Sequence, residues 1–463
     1  MRSPASLPIT TSHLPALRGA VGDRAAPDTQ RQETQVKLRP IFLAVAAVLA
    51  FAACGSSIAS QAPVSQAPSV APTPSDAMMS HDPTMSAEPS GTATTGAVMT
   101  DTAAADLRTK LDLALGEHII FAAKATEAAL GGRTDEFAAY GDLLNKNGTD
   151  IGAMIGSVYG ADAADTFNKI WSAHNGFFVD YTTGVAKKDK AMQDKAVQDL
   201  TTIYVPQFAD FISGATGLPR DAVVSLTTDH VLQTKAIVDD QAKADWTAAY
   251  ADLRKAYAHM QMIGDAIAPA IAAKFPDKIA GDASNKGVDL RVALNQLLQE
   301  HLYLASFATD AALAGRNDEF AAAGTALNTN GTDLGAAIGS VYGNDAKDAF
   351  NKIWSAHNGF FVDYTTGVAT KDQAKMDKAV QDLTTVYLPQ FSDFLAGATG
   401  LPKDALTALI KEHVLTTKAI VDAQGAKDFK SAAAADRTAG QHMEMIGDPL
   451  AKAIVAKLPD KFR

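Results

Sequence analysis

The chain has 463 residues, with 52 acidic against 41 basic side chains, a net charge of −11 and one cysteine. An acidic balance of this kind disfavours nucleic acid as a partner and gives no attraction to an anionic membrane surface. A lone cysteine excludes an internal disulfide framework, and because it is Cys54 the rest of the chain has neither thiolate nucleophile nor thiolate ligand.

The N-terminus reads as a targeting segment, residues 1–53. Lys37 and Arg39 form a short basic region ahead of an apolar run from Ile41 to Ala53, which ends at Cys54. That run is too short to span a bilayer, which takes about 20 apolar residues. Ala52 and Ala53 before the cysteine resemble the lipobox of bacterial lipoproteins, with Phe51 where that motif usually has Leu. The resemblance implies cleavage before Cys54, a lipid on its sulfur, and a cell-envelope location on the extracytoplasmic face, anchored in the membrane. A translation start near Val36 would remove the unusual residues 1–35. Residues 54–103 then read as a tether: Ser, Ala, Pro and Thr dominate, and too little apolar surface is present to offset the entropy of ordering. Within it, Met78, Met79, His81 and Met85 form a small cluster that could hold Cu(I) weakly, although low-complexity drift explains it more simply.

From Leu107 onward the chain repeats itself at an ungapped offset of 183 residues, with 113 identities over 174 compared positions. The run Asn168–Ala186 returns unchanged as Asn351–Ala369. A period this long is a whole domain, since solenoid units run to about 20–50 residues. Two copies of one domain are therefore expected, at residues 104–283 and 284–463. Abundant alanine, the lack of β-branched alternation and apolar spacings of three and four predict an all-α bundle in each. In the first copy the predicted helices cover roughly 104–131, 134–146, 149–159, 161–187, 190–214 and 219–276, the last broken near Ala244. Asn147-Gly148 reads as a helix stop with Thr149 capping the next helix. Gly217-Leu218-Pro219 ends one helix and starts another, and both devices recur at Asn330-Gly331-Thr332 and Gly400-Leu401-Pro402. The bridge Gly281–Gly287 is short enough for the two copies to touch.

Eight of the ten histidines fall in the repeats as matched pairs: His118/His301, His174/His357, His230/His413 and His259/His442. Each comes from a different predicted long helix, the way bundle proteins assemble metal and cofactor sites. The faces around His118 and His174 are apolar, so these two point inward. His230 has a mixed face and His259 reads as a rim position. Buried imidazoles need partners. One reading is a shared metal ion, copper first and zinc second, with Met262 and Met445 as possible thioether ligands and Glu117, Glu300, Asp180 and Asp363 orienting the rings. The other is separate histidines, each bonded to its own local acceptor.

Motifs of other chemistries are missing. There is no Glu-x-x-His for a di-iron bundle, no His-Glu-x-x-His, no phosphate-binding glycine loop, no Gly-x-Ser-x-Gly elbow and no Cys-x-x-Cys-His for covalent haem. No catalytic residue is assigned on this basis. The repeats do resemble a helical module of secreted and lipoprotein sequences of bacteria, through Leu294–Ala305 with Glu300-His301, Ile338–Gly343, Trp354–Gly367 and His442–Asp448. Some similar sequences carry a label borrowed from copper amine oxidases. Neither the Asn-Tyr-Asp/Glu source of their quinone cofactor nor a copper-binding His-x-His is present here. The resemblance thus implies an exported helical module and not an oxidase. The leading expectation is a lipid-anchored protein that binds or delivers a metal. The alternative is a metal-free helical surface scaffold for a protein or cell-wall partner, and a third is an enzyme of unrecognised chemistry.

Overall fold

The computed structural model describes residues 98–463. The predicted signal segment, Cys54, the Met/His cluster and nearly all of the tether lie outside the described residues. The described chain is all-α. In the first repeat the helices are α1 (Ala103–Leu130), α2 (Thr134–Tyr159), α3 (Ala161–Ala186), α4 (Lys190–Asp199), α5 (Val205–Thr216), α6 (Arg220–Lys243) and α7 (Trp246–Lys274). The second repeats the order as α8 (Lys286–Leu313), α9 (Asn317–Tyr342), α10 (Asn344–Thr370), α11 (Gln373–Asp382), α12 (Leu388–Thr399), α13 (Lys403–Gly425) and α14 (Phe429–Lys457). Among the described residues no helix is long and apolar enough to cross a membrane.

Local chemistry sets most of the ends. Thr102 caps α1 by accepting the Ala105 amide through Oγ1, and Asn285 caps α8 by accepting from Val288. Gly217 and Gly400 close α5 and α12 in the left-handed conformation, at φ 81° and 80°, where a glycine carries no steric penalty. Ala244 at φ 55° separates α6 from α7, as expected.

Two expectations fail. Asn147-Gly148 does not stop a helix, and α2 runs through it. The Asn147 side chain instead crosses to α1, donating to the Ala114 carbonyl at 2.8 Å and to Glu117 Oε2 at 3.1 Å. Gly148 makes room for the Trp171 indole, and Thr149 returns its hydroxyl to the Asn145 carbonyl inside the helix. The predicted helix 190–214 is not uniform either. A π-turn at Leu200–Tyr204 divides it, with Val205 donating to the Leu200 carbonyl. The cause is Pro206, which has no amide for the bond to Thr202 and whose ring would collide with that carbonyl in an α-helix. Leu383–Tyr387 ahead of Pro389 is the same device in the second repeat.

In each repeat one helix is central. α1 packs against α2, α7, α6 and α3, and α8 does the same with α9, α14, α13 and α10. The two repeats are one compact unit: α1 meets α8, α2 meets α14 and α7 meets α9. The contacts are exchanged as a two-fold relation requires. Arg254 donates to Glu300 and Asp333, and its counterpart Arg437 pairs with Glu117 and Asp150. Arg108 bonds Asp289 at 2.7 Å, and Arg291 bonds Asp106 at 2.6 Å. Arg291 also donates to the Thr100 carbonyl, so the end of the predicted tether packs on the second repeat.

The exchange is broken in a buried cluster around Lys124. Lys124 is buried with its Nζ 3.0 Å from Ser306 Oγ and 3.4 Å from Asp436, which also accepts from the Tyr140 hydroxyl at 2.6 Å. The positions 183 residues away hold Phe307, Leu253 and Ala323, all buried in the apolar core.

Candidate metal centres

Three helices of each repeat deliver one histidine apiece to a common point in the core: His118 from α1, His174 from α3 and His230 from α6. In the second repeat these are His301, His357 and His413. In each triad one nitrogen per ring lies within 4.8 Å of the others, and all six rings are buried. Ring centroids are 5.3, 5.9 and 6.0 Å apart in the first triad and 5.2, 6.2 and 6.2 Å in the second. Donors that close leave a point no more than about 2.8 Å from all three (4.8 Å divided by √3), and shifts under about 1 Å reach the ~2.0–2.1 Å of a metal–imidazole bond.

Aromatic packing holds the rings. Trp171 lies against His118, with centroids 4.6 Å apart, and Tyr204 stacks on His174 at 4.5 Å and 15°. Trp354 and Tyr387 do the same in the second repeat, at 4.5 Å from His301 and 4.7 Å from His357. Tyr204 and Tyr387 close the two π-turns, so the widened turn puts the phenol over the imidazole. π-Turns inside α-helices often mark functional sites.

One tautomer is fixed by the backbone. His174 Nδ1 lies 2.6 Å from the Trp171 carbonyl, which can only accept, so the proton is on Nδ1 and the Nε2 lone pair is free. His357 and Trp354 repeat this at 2.8 Å. His174 Nε2, His118 Nδ1 and both ring nitrogens of His230 are buried without a protein hydrogen-bond partner. Each such unmet nitrogen costs about 1–3 kcal/mol, a penalty that coordination removes. Burial keeps the rings neutral, as ligands must be. It pulls His174 and His357 down to about 4 despite the carbonyl bond, and His230 and His413 down to about 3, with neighbouring histidines adding to the effect. His118 and His301 are lowered well below the ordinary value for the same reasons.

The remaining expected site residues are placed elsewhere. His259 and His442 are not brought into the triads. Their Nε2 atoms bond the Leu226 and Leu409 carbonyls at 2.8 and 2.9 Å, which ties α7 to α6 and α14 to α13 at the turn ending in His230 or His413. Met262 and Met445 point to solvent, 56% and 59% exposed, so no thioether joins either site. Glu117 and Glu300 face the interface between repeats and pair with Arg437 and Arg254. Asp180 and Asp363 are exposed, and Asp363 pairs with Lys375. The ring-orienting role expected of these carboxylates is filled by the Trp171 and Trp354 carbonyls. The stacked tyrosines escaped sequence reasoning, although Tyr-x-Pro at 204–206 and 387–389 was the available signal.

The chain matches no protein-family model, no curated protein and no solved structure.

Proposed function

We propose that this is a lipid-anchored, extracytoplasmic metal-binding protein holding one ion in each histidine triad, for binding or delivery rather than turnover. The observation that carries the reading is the convergence of three neutral imidazoles, one with its tautomer locked, on one point in each core. No carboxylate belongs to either triad. A divalent ion there would bring two uncompensated charges into a low-dielectric core, whereas Cu(I) brings one and accepts three imidazole ligands. That argument ranks copper first and zinc second, without help from methionine. Export and anchoring rest on Lys37, Arg39, the apolar run to Ala53 and Cys54.

The test is metal content by mass spectrometry on protein purified without tag histidines, after exposure to copper and to zinc. Two ions per chain, one per triad, are expected. His174→Ala with His357→Ala should abolish binding. An intact helical fold that retains no metal overturns the reading. Loss of lipid labelling in Cys54→Ala tests the anchor separately.

A further inference from the structure

Each triad is reached by a cavity enclosed by α1, α2, α3 and α6, or by α8, α9, α10 and α13. In the second repeat its volume is about 270 Å³ and its wall includes all three of His301, His357 and His413. In the first repeat it is larger, about 610 Å³, and meets His118, with Thr234 and Phe178 beside it. No charged side chain lines the second-repeat cavity, whose wall is mainly alanine, threonine and phenylalanine. Its threonines offer no free proton. Thr309 donates to Gln424, and Thr365, Thr366 and Thr417 donate to the carbonyls of Phe361, Val362 and His413. Apart from the side-chain amides of Asn317 and Asn358, such a wall shows an entering molecule methyl groups and oxygen lone pairs. It has no cation to hold an anion and little to solvate one.

The triad has three ligands where zinc prefers four and Cu(I) accepts three or four. The histidine nearest in sequence to a fourth ligand, His259 or His442, has its Nε2 engaged by a backbone carbonyl. We infer that the bound metal keeps one coordination position open toward this cavity, and that the cavity admits a small neutral ligand of the size and polarity of carbon monoxide or dioxygen. The inference rests on the metal reading above. The protein then binds the small molecule reversibly through the metal, with no bond in the ligand broken.

The experiment uses the full chain loaded with copper, reduced by ascorbate and exposed to carbon monoxide. Copper content is measured first, and bound carbon monoxide is then read from its infrared stretch. Ala122 and Ala305 line the cavities one helical turn beyond His118 and His301. Leucine at both positions fills that space without replacing a ligand. Two coppers per chain with one carbon monoxide each are expected in the natural protein. Ala122→Leu with Ala305→Leu should keep the copper and weaken carbon monoxide binding by about tenfold, since the added side chain occupies the ligand's volume. Ala122→Val with Ala305→Val is the milder pair, should leucine disturb the fold. Copper without carbon monoxide overturns the open position while leaving the metal reading intact. Carbon monoxide bound equally well by the filled variants overturns the cavity as its route. Failure to hold copper overturns both readings.

Discussion

Gly148 offers a sharp test of how the triad is supported. A methyl group built on it would stand 2.5 Å from Trp171 Cδ1 and 2.9 Å from Nε1. Carbon atoms prefer about 3.5–4.0 Å, so the indole must retreat by roughly 1 Å. It has little freedom to do so. Phe167 stacks on it at 4.9 Å, and His118 and His174 lie against it at 4.6 and 4.8 Å. Gly148→Ala therefore carries an overpacking cost of about 1–3 kcal/mol, set against about 1 kcal/mol gained by alanine over glycine inside a helix. Because the obstacle is a wedged ring and not a flexible chain end, the upper part of that range applies, and a net loss of about 1–2 kcal/mol is expected. Gly141 lies on the same helix, and a methyl group added there would meet nothing within 4 Å. Gly141→Ala should stabilise by about 0.5–1 kcal/mol. Urea unfolding followed by far-UV circular dichroism measures both, and the two variants should move in opposite directions. The Gly148 variant should also bind metal more weakly, because the indole packs on both His118 and His174. Equal stabilisation by both substitutions would refute the reasoning.

Three further outcomes are expected. The triad histidines are depressed to about 3–4 in the folded chain where a value is resolved, so their contribution is present above the unfolded value of about 6.5 and is lost as pH falls below it. Buried Glu127, raised by burial to about 8, and Asp112 act in the opposite sense, so six histidines less two carboxyls leave a net uptake of at most about four protons, and the slope steepens below pH 6.5 toward about 5 kcal/mol per pH unit. Denaturation of the metal-free protein at pH 7, 6 and 5 measures this slope, and a flat profile rules the account out. Asp112 is fully buried, with its carboxyl pushed well up by burial and by Asp265, whereas its counterpart Asn295 donates to Asp448 at 2.6 Å. A raised carboxyl contributes stability at low pH that is lost as pH rises through the folded value. Asp112→Asn should therefore match the natural protein at pH 5 and exceed it by about 1–3 kcal/mol in mildly alkaline solution, and a pH-independent difference would contradict this. Asp436→Leu strands Lys124 in the core and should cost about 3–5 kcal/mol, while Lys124→Met with Asp436→Leu should recover most of it. Additive losses in that cycle would show that the pair does not interact.

The bundle was legible because alanine-rich segments with apolar spacings of three and four allow little else. The inward turn of His118 and His174 was legible for the same reason, since Phe167, Trp171 and Phe178 surround one of them on a single helix face. What spacing within one helix cannot supply is depth along the bundle. His230 reaches the level of the other two and His259 does not, and that difference depends on the register of α6 and α7. Asn147-Gly148 misled because asparagine and glycine are stop signals only when exposed. Here one donates to the neighbouring helix and the other receives an indole. Glu117 follows one face too far round: it neighbours His118 in sequence but lies about 100° away on α1, toward the second repeat.

The broken exchange around Lys124 gives the two halves different identities. If the first repeat paired with a second copy of itself, each Lys124 would face Leu253 in place of Asp436 and lie buried without a counter-charge. Two second repeats would bury Asp436 twice, against Phe307 and Ala323, with no lysine and no tyrosine hydroxyl. Each half is thus a poor partner for its own likeness and a good one for its sequel. During synthesis on a crowded ribosome, chains with two nearly interchangeable halves risk closing onto their neighbours. A single buried lysine lets the first half accept a second and reject another first, so pairing between like halves is disfavoured.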